Sequence, residues 1–169
     1  TFEFVCVADK NPGDFYCRAA ATDTFGCHLR CTGGGGMHYW QAYFNGNNEV
    51  WWNLGNTTDG YQNLCVKDTG KNMESFAHVV CVYNPQTKMY YTYYNGHGNA
   101  GFGNVGEFNV GNFVGVPGMP GNPGGMQHGW VGKVAIARIY DEPFNVEQIL
   151  ARYNDLKPVI EKLNTTIGQ

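Results

Sequence analysis

The chain has 169 residues, 43% hydrophobic and only 15% charged, with a net charge of −3. That length suits one domain whose core hides about two-thirds of the surface exposed by an unfolded chain. No Lys/Arg cluster supplies affinity for a phosphate backbone and no apolar run is long enough to cross a bilayer, so a nucleic-acid partner and a membrane span are both excluded.

The chain opens on Thr1 rather than Met and shows no signal peptide, as expected of a processed or excised product. In chain order, strands are expected at 14–20 and 26–32, flanking a turn at Thr22-Asp23, before a flexible corner at 33–36. An aromatic strand at 37–44 ends on the hairpin dipeptide Asn45-Gly46, and strands at 49–54 and 61–67 follow. Strands at 77–83 and 88–94 form a hairpin across Asn84-Pro85-Gln86-Thr87. From 96 to 129 glycine, asparagine and proline dominate, without the strict three-residue repeat of collagen, and predict long surface loops around a strand at 108–116.

The last strand, 130–140, carries Val134, Ala135, Ile136, Ala137 and Ile139, a run expected of a strand buried on both faces. Asp141-Glu142-Pro143 stops it, because proline brings no N–H to a ladder. Asn145 then caps a helix with Gln148 reaching back, and Ile149, Leu150 and Tyr153 give that helix its apolar side. Residues 157–169 are expected to be a tail or linker beyond a domain of residues 1–156. So many short strands predict an all-β, two-sheet antiparallel sandwich with one short helix near the C-terminus.

The closing strand and helix, from Gly129 to Ile149, resemble those of the laminin G-like jelly rolls in the concanavalin A-like lectin/glucanase superfamily, which is related to pentraxins. Thr1-Phe2-Glu3-Phe4-Val5-Cys6-Val7-Ala8 resembles the family's early core strand. Phe76-Ala77-His78-Val79-Val80-Cys81-Val82-Tyr83-Asn84 followed by Lys88-Met89-Tyr90-Tyr91-Thr92-Tyr93-Tyr94-Asn95-Gly96 resembles its central hairpin. The resemblance implies a jelly roll and a recognition module, most often for carbohydrate. It also implies an additional strand ahead of the segment matched by 1–8, so the expectation is either a fragment of a longer protein or a neighbouring edge open to a strand from another chain, with 157–169 as a candidate donor.

Six cysteines and two sequons, at Asn56 and Asn164, favour disulfides, N-glycosylation and an extracellular or cell-surface location. The resemblance to pentraxins implies a Cys6–Cys81 bridge, each cysteine standing one residue later than in the pentraxin pattern. The other four are not paired by the sequence. Cys27 and Cys31 share a strand face, and Cys17–Cys27 with Cys31–Cys65 is the first arrangement to test. A zinc site is the rival, and would want closer Cys-x-x-Cys spacing.

Catalytic patterns are missing. Superfamily glucanases carry Glu-x-Asp-x-x-Glu, whereas Glu3, Glu49, Glu74 and Glu107 all lack an acid two residues on, so glycosidase chemistry of that type is not expected. Gly101-Phe102-Gly103-Asn104-Val105-Gly106 has dinucleotide-loop spacing without the flanking strand and helix. The five histidines are scattered, with His78 at a structural strand position and His97 and His128 in loops. No cofactor is implied apart from calcium. The pentraxin-like acidic cluster is replaced by Val116-Pro117-Gly118 with Asn122 and Gln127 nearby, so Asp59, Asn53 and Asn56 are the remaining calcium candidates.

Aromatic residues carry the remaining signal. Tyr39, Trp40, Tyr43, Phe44, Trp51, Trp52 and Tyr61 crowd one third of the chain, and Tyr90, Tyr91, Tyr93 and Tyr94 crowd one strand. Alternation splits Tyr39 and Tyr43 from Trp40 and Phe44, and Trp51 from Trp52, so one member of each pair belongs to the core. The outward members, with Asn47, Asn48, Asn53, Asp59 and Gln62, offer ring faces for sugar C–H groups and amides for hydroxyls. The expected function is a non-catalytic, lectin-like module for a glycan or glycoprotein, using Tyr39, Trp40, Trp51, Trp52, Asn53, Asp59 and Tyr61. The alternative is a structural subunit of an extracellular filament, self-associating through an open sheet edge.

Overall fold

The computed structural model describes residues 1–8, 27–32, 39–45, 49–56, 60–66, 75–103 and 132–167. The expected strands at 14–20 and 108–116 lie outside the described residues, as do Cys17, Asn47, Asn48, Asp59, Asn122, Gln127 and His128. The elements are β1 (Phe2–Ala8), β2 (Cys27–Thr32), β3 (Tyr39–Asn45), β4 (Glu49–Asn56), β5 (Gly60–Val66), β6 (Ala77–Asn84), β7 (Met89–Tyr94), β8 (His97–Phe102), β9 (Gly132–Ile139) and α1 (Val146–Ile167). They form two antiparallel sheets, ordered β8-β7-β6-β1-β9 and β2-β3-β4-β5.

Alternation along β1 decides what each face of the first sheet meets. Val5 and Val7 join Phe76, Leu156 and Ile160 in a cluster between the sheet and α1, with Ile136, Tyr153, Leu163 and Ile167 packed against it. Val80 and Val82 meet Phe144 and Ile149 beside it. The opposite side chains, Phe2, Phe4, Cys6, Val79, Cys81, Tyr90 and Tyr94, are buried too, because β5 packs on β7 and β8 and β4 packs on β7. The layers are therefore helix, five-stranded sheet, four-stranded sheet. The outer face of the four-stranded sheet is the one on which no other described element is laid.

β9 departs from expectation. It ends the sheet among the described residues, and Ala135, Ala137 and Ile139 are exposed, so it is an edge strand and not a doubly buried one. Val5 pairs with Ile136 and Cys6 with Val134, leaving Ala135 as a bulge of the kind that interrupts sheet edges. Thr1 fastens the corner beyond β9: its Oγ1 donates to the Glu142 carbonyl at 2.7 Å and accepts from the Phe144 N–H at 2.9 Å.

The glycine-rich stretch expected as loop begins instead with a strand, β8. Asn95 (φ 46°) and Gly96 (φ 80°) both take positive φ, the requirement of a two-residue type I′ hairpin turn. Asn95 Oδ1 also accepts the His78 N–H, and a Cβ on Gly96 would lie 2.8 Å from Tyr153 Cδ1 of α1. The Tyr93 and Tyr90 rings lie over Gly98 and Gly101, covering the edge where those residues bring no side chain.

The helix is capped as expected. The Gln148 N–H donates to Asn145 Oδ1 and the Asn145 N–H to Gln148 Oε1, both at 2.8 Å. It does not stop before Lys157. It runs 22 residues through Pro158 to Ile167, so 157–167 is neither a tail nor a strand donor. Pro158 removes one helical hydrogen bond, but Leu156, Ile160, Leu163 and Ile167 pack on the sheet and outweigh that penalty. Asn164 clamps the end: its Oδ1 accepts the Phe76 N–H, and its Nδ2 donates to the Phe76 carbonyl at 3.1 Å. The atom that a glycan would occupy is thus already engaged, and the sequon is helical. Asn164→Ala is expected to cost about 1–3 kcal/mol, the penalty for orphaned partly buried groups, read as a lower urea midpoint. Peptide mapping of secreted material is expected to find Asn164 unmodified.

Two of the expected cysteine pairings are corrected, while Cys17–Cys27 lies outside the described residues. Cys6 and Cys81 are both free and buried. Cys6 lies opposite Ala77 while Cys81 lies opposite Phe2, an offset of four residues, or about 13 Å along the strands, which no disulfide spans. Cys31 and Cys65 stand on β2 and β5, the two edges of their sheet, and Cys31 aligns with Gln62, three residues from Cys65, so the two are about 17 Å apart at positions of opposite faces. Burial pushes the Cys6 and Cys81 thiols up, away from the reactive thiolate. Both are expected to resist a thiol reagent in the folded protein and to be alkylated in denaturant without reductant.

Candidate functional site

Val50, on β4, is buried and marks the inner face of the four-stranded sheet. The ladders extend that assignment to every neighbour. Phe44 and Val66 lie across from Val50, Ala42 and Leu64 from Trp52, and Trp40 and Gln62 from Leu54. Trp40, Trp52 and Gln62 therefore take register positions on the same sheet face as Val50, and Tyr39, Trp51, Asn53 and Tyr61 on the other. The physical reason is the two-residue period of a strand: neighbours in sequence cannot share a face.

The outer face has a different composition. Three cross-strand rows run from β2 to β5: His28, Tyr43, Trp51 and Cys65; then Arg30, Gln41, Asn53 and Asn63; then Thr32, Tyr39, Gly55 and Tyr61. Of the residues singled out in the sequence, Tyr39, Trp51, Asn53 and Tyr61 come together here. Tyr43, already grouped with Tyr39 by alternation, shares this face, as do Gln41, Asn63 and Arg30, which sequence reasoning missed. The observed register, Asn45 across from Glu49, puts Gln41 beside Asn53, a pairing that a two-residue turn at Asn45-Gly46 does not produce. The calcium set does not converge, since Asn53 and Asn56 alternate to opposite faces of β4.

Charge chemistry lies elsewhere, under the helix. Glu3, fully buried on β1, accepts from His78 Nε2 (3.1 Å), Arg152 Nε (3.1 Å) and Nη2 (3.0 Å), Tyr140 Oη (2.7 Å) and Arg138 Nη1 (3.3 Å). Burial alone would raise its pKa. Hydrogen bonds from His78, Arg152 and Tyr140, with the Arg152 charge, outweigh burial and hold the carboxyl well below the ordinary 4.5. Tyr153 stacks on His78, with ring centroids 6.0 Å apart, closing the cluster from above. Such a carboxylate binds α1 and β9 to β1 and offers no proton to a substrate. Glu49, on the outer face, lies across from Asn45 and not from a second acid. Among the described residues no three His, Cys, Asp or Glu side chains gather to hold a metal, and no helix is long and apolar enough to cross a membrane.

Two comparisons agree with this architecture. The fold is similar to the CBM40 domain of the Ruminococcus gnavus IT-sialidase, solved alone and bound to α2,3 sialyllactose. In both structures the TM-score is 0.64 at 13% identity, over 90% of this chain and 80% of that one. No curated protein matches the sequence. The sequence matches the laminin G 3 family over residues 15–150, most of its length. Sheet order, closing helix and sequence match converge on one conclusion: the chain belongs to the concanavalin A-like lectin/glucanases superfamily.

Proposed function

We propose that this protein is a non-catalytic, extracellular carbohydrate-binding module whose binding surface is the outer face of β2–β5. One observation carries this reading: the register puts Phe44, Leu54, Leu64 and Val66 with Trp40 and Trp52 on the Val50 face, and Tyr39, Tyr43, Tyr61 and Trp51 with the amides Gln41, Asn53 and Asn63 on the other. A solvated face needs polar residues. It does not need aromatic rows bracketing an amide row, which together match the C–H faces and hydroxyls of a sugar. The fold neighbour bound to sialyllactose supports the same class of ligand. A glycan array probed with the whole chain tests it. Binding to a defined set of saccharides is expected, and silence across neutral and acidic glycans would sink the function.

The edge strand β9 favours a second reading, self-association by strand addition, because its outer ladder is open among the described residues and Ala137 and Ile139 are exposed. Sedimentation at rising concentration separates the two, since a monomer throughout would discard assembly.

A further inference from the structure

β9 is the last strand of its sheet among the described residues, and its bonds to β1 fix which backbone groups it leaves over. The Tyr140 N–H donates to the Thr1 carbonyl at 2.8 Å. Antiparallel ladders alternate, so Arg138 and Ile136, across from Glu3 and Val5, also turn their backbone toward β1. Ala137 and Ile139 turn theirs outward, and both residues are exposed. Bulges and free charges blunt a sheet edge. Here the bulge at Ala135 lies to one side, and Arg138, the only charge in the run 136–139, is held by Glu3 at 3.3 Å. What remains is a short run of outward N–H and C=O groups with no free charge in it.

We propose that this edge pairs with the same edge of a second copy, antiparallel, with Ala137 across from the second copy's Ala137. The proposal rests on the self-association named above and adds its occupant and register. Outward groups have to meet outward groups, so the two-fold axis passes at a residue and not between two. An axis at Ile136 runs the contact into the bulge, and an axis at Arg138 sets two like charges against each other. An axis at Ile139 pairs residues beyond the end of the strand. An axis at Ala137 uses the strand over its length and puts Ala135 across from the second copy's Ile139. It also brings the exposed Lys133 across from the second copy's exposed Asp141, once at each end, so charge selects the same register. A two-fold contact consumes both edges, and assembly closes at a dimer. The axis stands perpendicular to the joined sheet, so both four-stranded sheets lie on one side of it and their outer faces point the same way.

The test is velocity sedimentation over a concentration series, with oxidative cross-linking of cysteine variants scored above the wild-type background. Wild type is expected to pass from monomer to dimer and no further. Ala137→Cys is expected to link under mild oxidation, because facing residues of a hydrogen-bonded pair have Cα atoms about 5.5 Å apart, within disulfide reach. Ile139→Cys is expected to stay unlinked, since it faces position 135 and its own counterpart lies too far along the ladder. Ala137→Pro removes an outward N–H that β1 does not use, so the dimer is expected to weaken at least tenfold at an unchanged melting temperature. Lys133→Glu turns two exposed pairs repulsive and is expected to weaken the dimer about tenfold, with Asp141→Lys added to it restoring the dimer to within about threefold. A monomer at every concentration overturns self-association and register together. A dimer linked by Ile139→Cys and not by Ala137→Cys overturns the register and leaves self-association standing. So does a dimer indifferent to Ala137→Pro. Assemblies that grow past the dimer overturn the two-fold contact. If Ala137→Pro melts early, the cysteine and charge variants decide.

Discussion

Glu3→Ala is expected to lower the melting temperature by about 6–12 °C. The substitution leaves His78 fully buried and Arg152 partly buried without their acceptor. Removing one partner of a buried ion pair costs about 3–5 kcal/mol. Arg138 and Arg152 are partly exposed and recruit water, so the lower figure, about 3 kcal/mol, applies. For a chain of this size each kcal/mol shifts the midpoint by about 2–4 °C. Because the folded carboxyl titrates below its unfolded value of 4.5, its contribution is present above that pH and is lost as pH falls toward the folded pKa. The stability gap between wild type and Glu3→Gln should be level from pH 7 to 5. Below about pH 4 it should shrink by about 1.4 kcal/mol per pH unit. Urea unfolding of both proteins at pH 7, 5 and 3 reads this directly. A gap unchanged at pH 3 would show that Glu3 is not held as the charged acceptor of this cluster.

Trp51 and Trp52 are expected to fail in opposite ways. Trp52 shares the Val50 face, so Trp52→Ala should cost about 3–5 kcal/mol of stability while leaving glycan affinity intact in the protein that remains folded. Trp51 stands on the outer face between Tyr43 and Cys65, so Trp51→Ala should change stability by less than about 1 kcal/mol. Its glycan affinity should fall about 10–100-fold, the loss of one good aromatic contact at a binding surface. Calorimetric melting and a binding titration on the two variants make the comparison. If Trp52→Ala lost affinity at unchanged stability, the binding surface would have to be moved to the other face.

How much of this was legible follows from the range of the forces involved. Asn145 and Gln148 declared a helix start because a capping box is closed within four residues. Asn84-Pro85-Gln86-Thr87 declared a hairpin because its turn is local too, with Asn84 Oδ1 accepting the N–H groups of Gln86 and Thr87. Strand β8 was not legible. His97-Gly98-Asn99-Ala100-Gly101-Phe102 has no apolar alternation, and its order comes from the β7 ladder and from tyrosines that cover its glycines. The long reach of α1 was hidden by Pro158, a local stop signal overridden by Ile160 and Leu163 against the sheet.

The sequence by itself determined the class of fold, the superfamily and the helix cap, since these rest on short-range chemistry and on patterns held in consecutive residues. It also determined that one tryptophan of the adjacent pair lies inside, because a strand has only two faces. Tertiary structure alone decided which one. That choice needed Val50 as an anchor and three ladders in register, and a slip of one residue would have exchanged the faces. Tertiary structure alone also converted Glu3, an unremarked acid on an apolar strand, into a buried charge. Its donors come from positions 78, 138, 140 and 152, and only the packed chain brings them to one carboxylate.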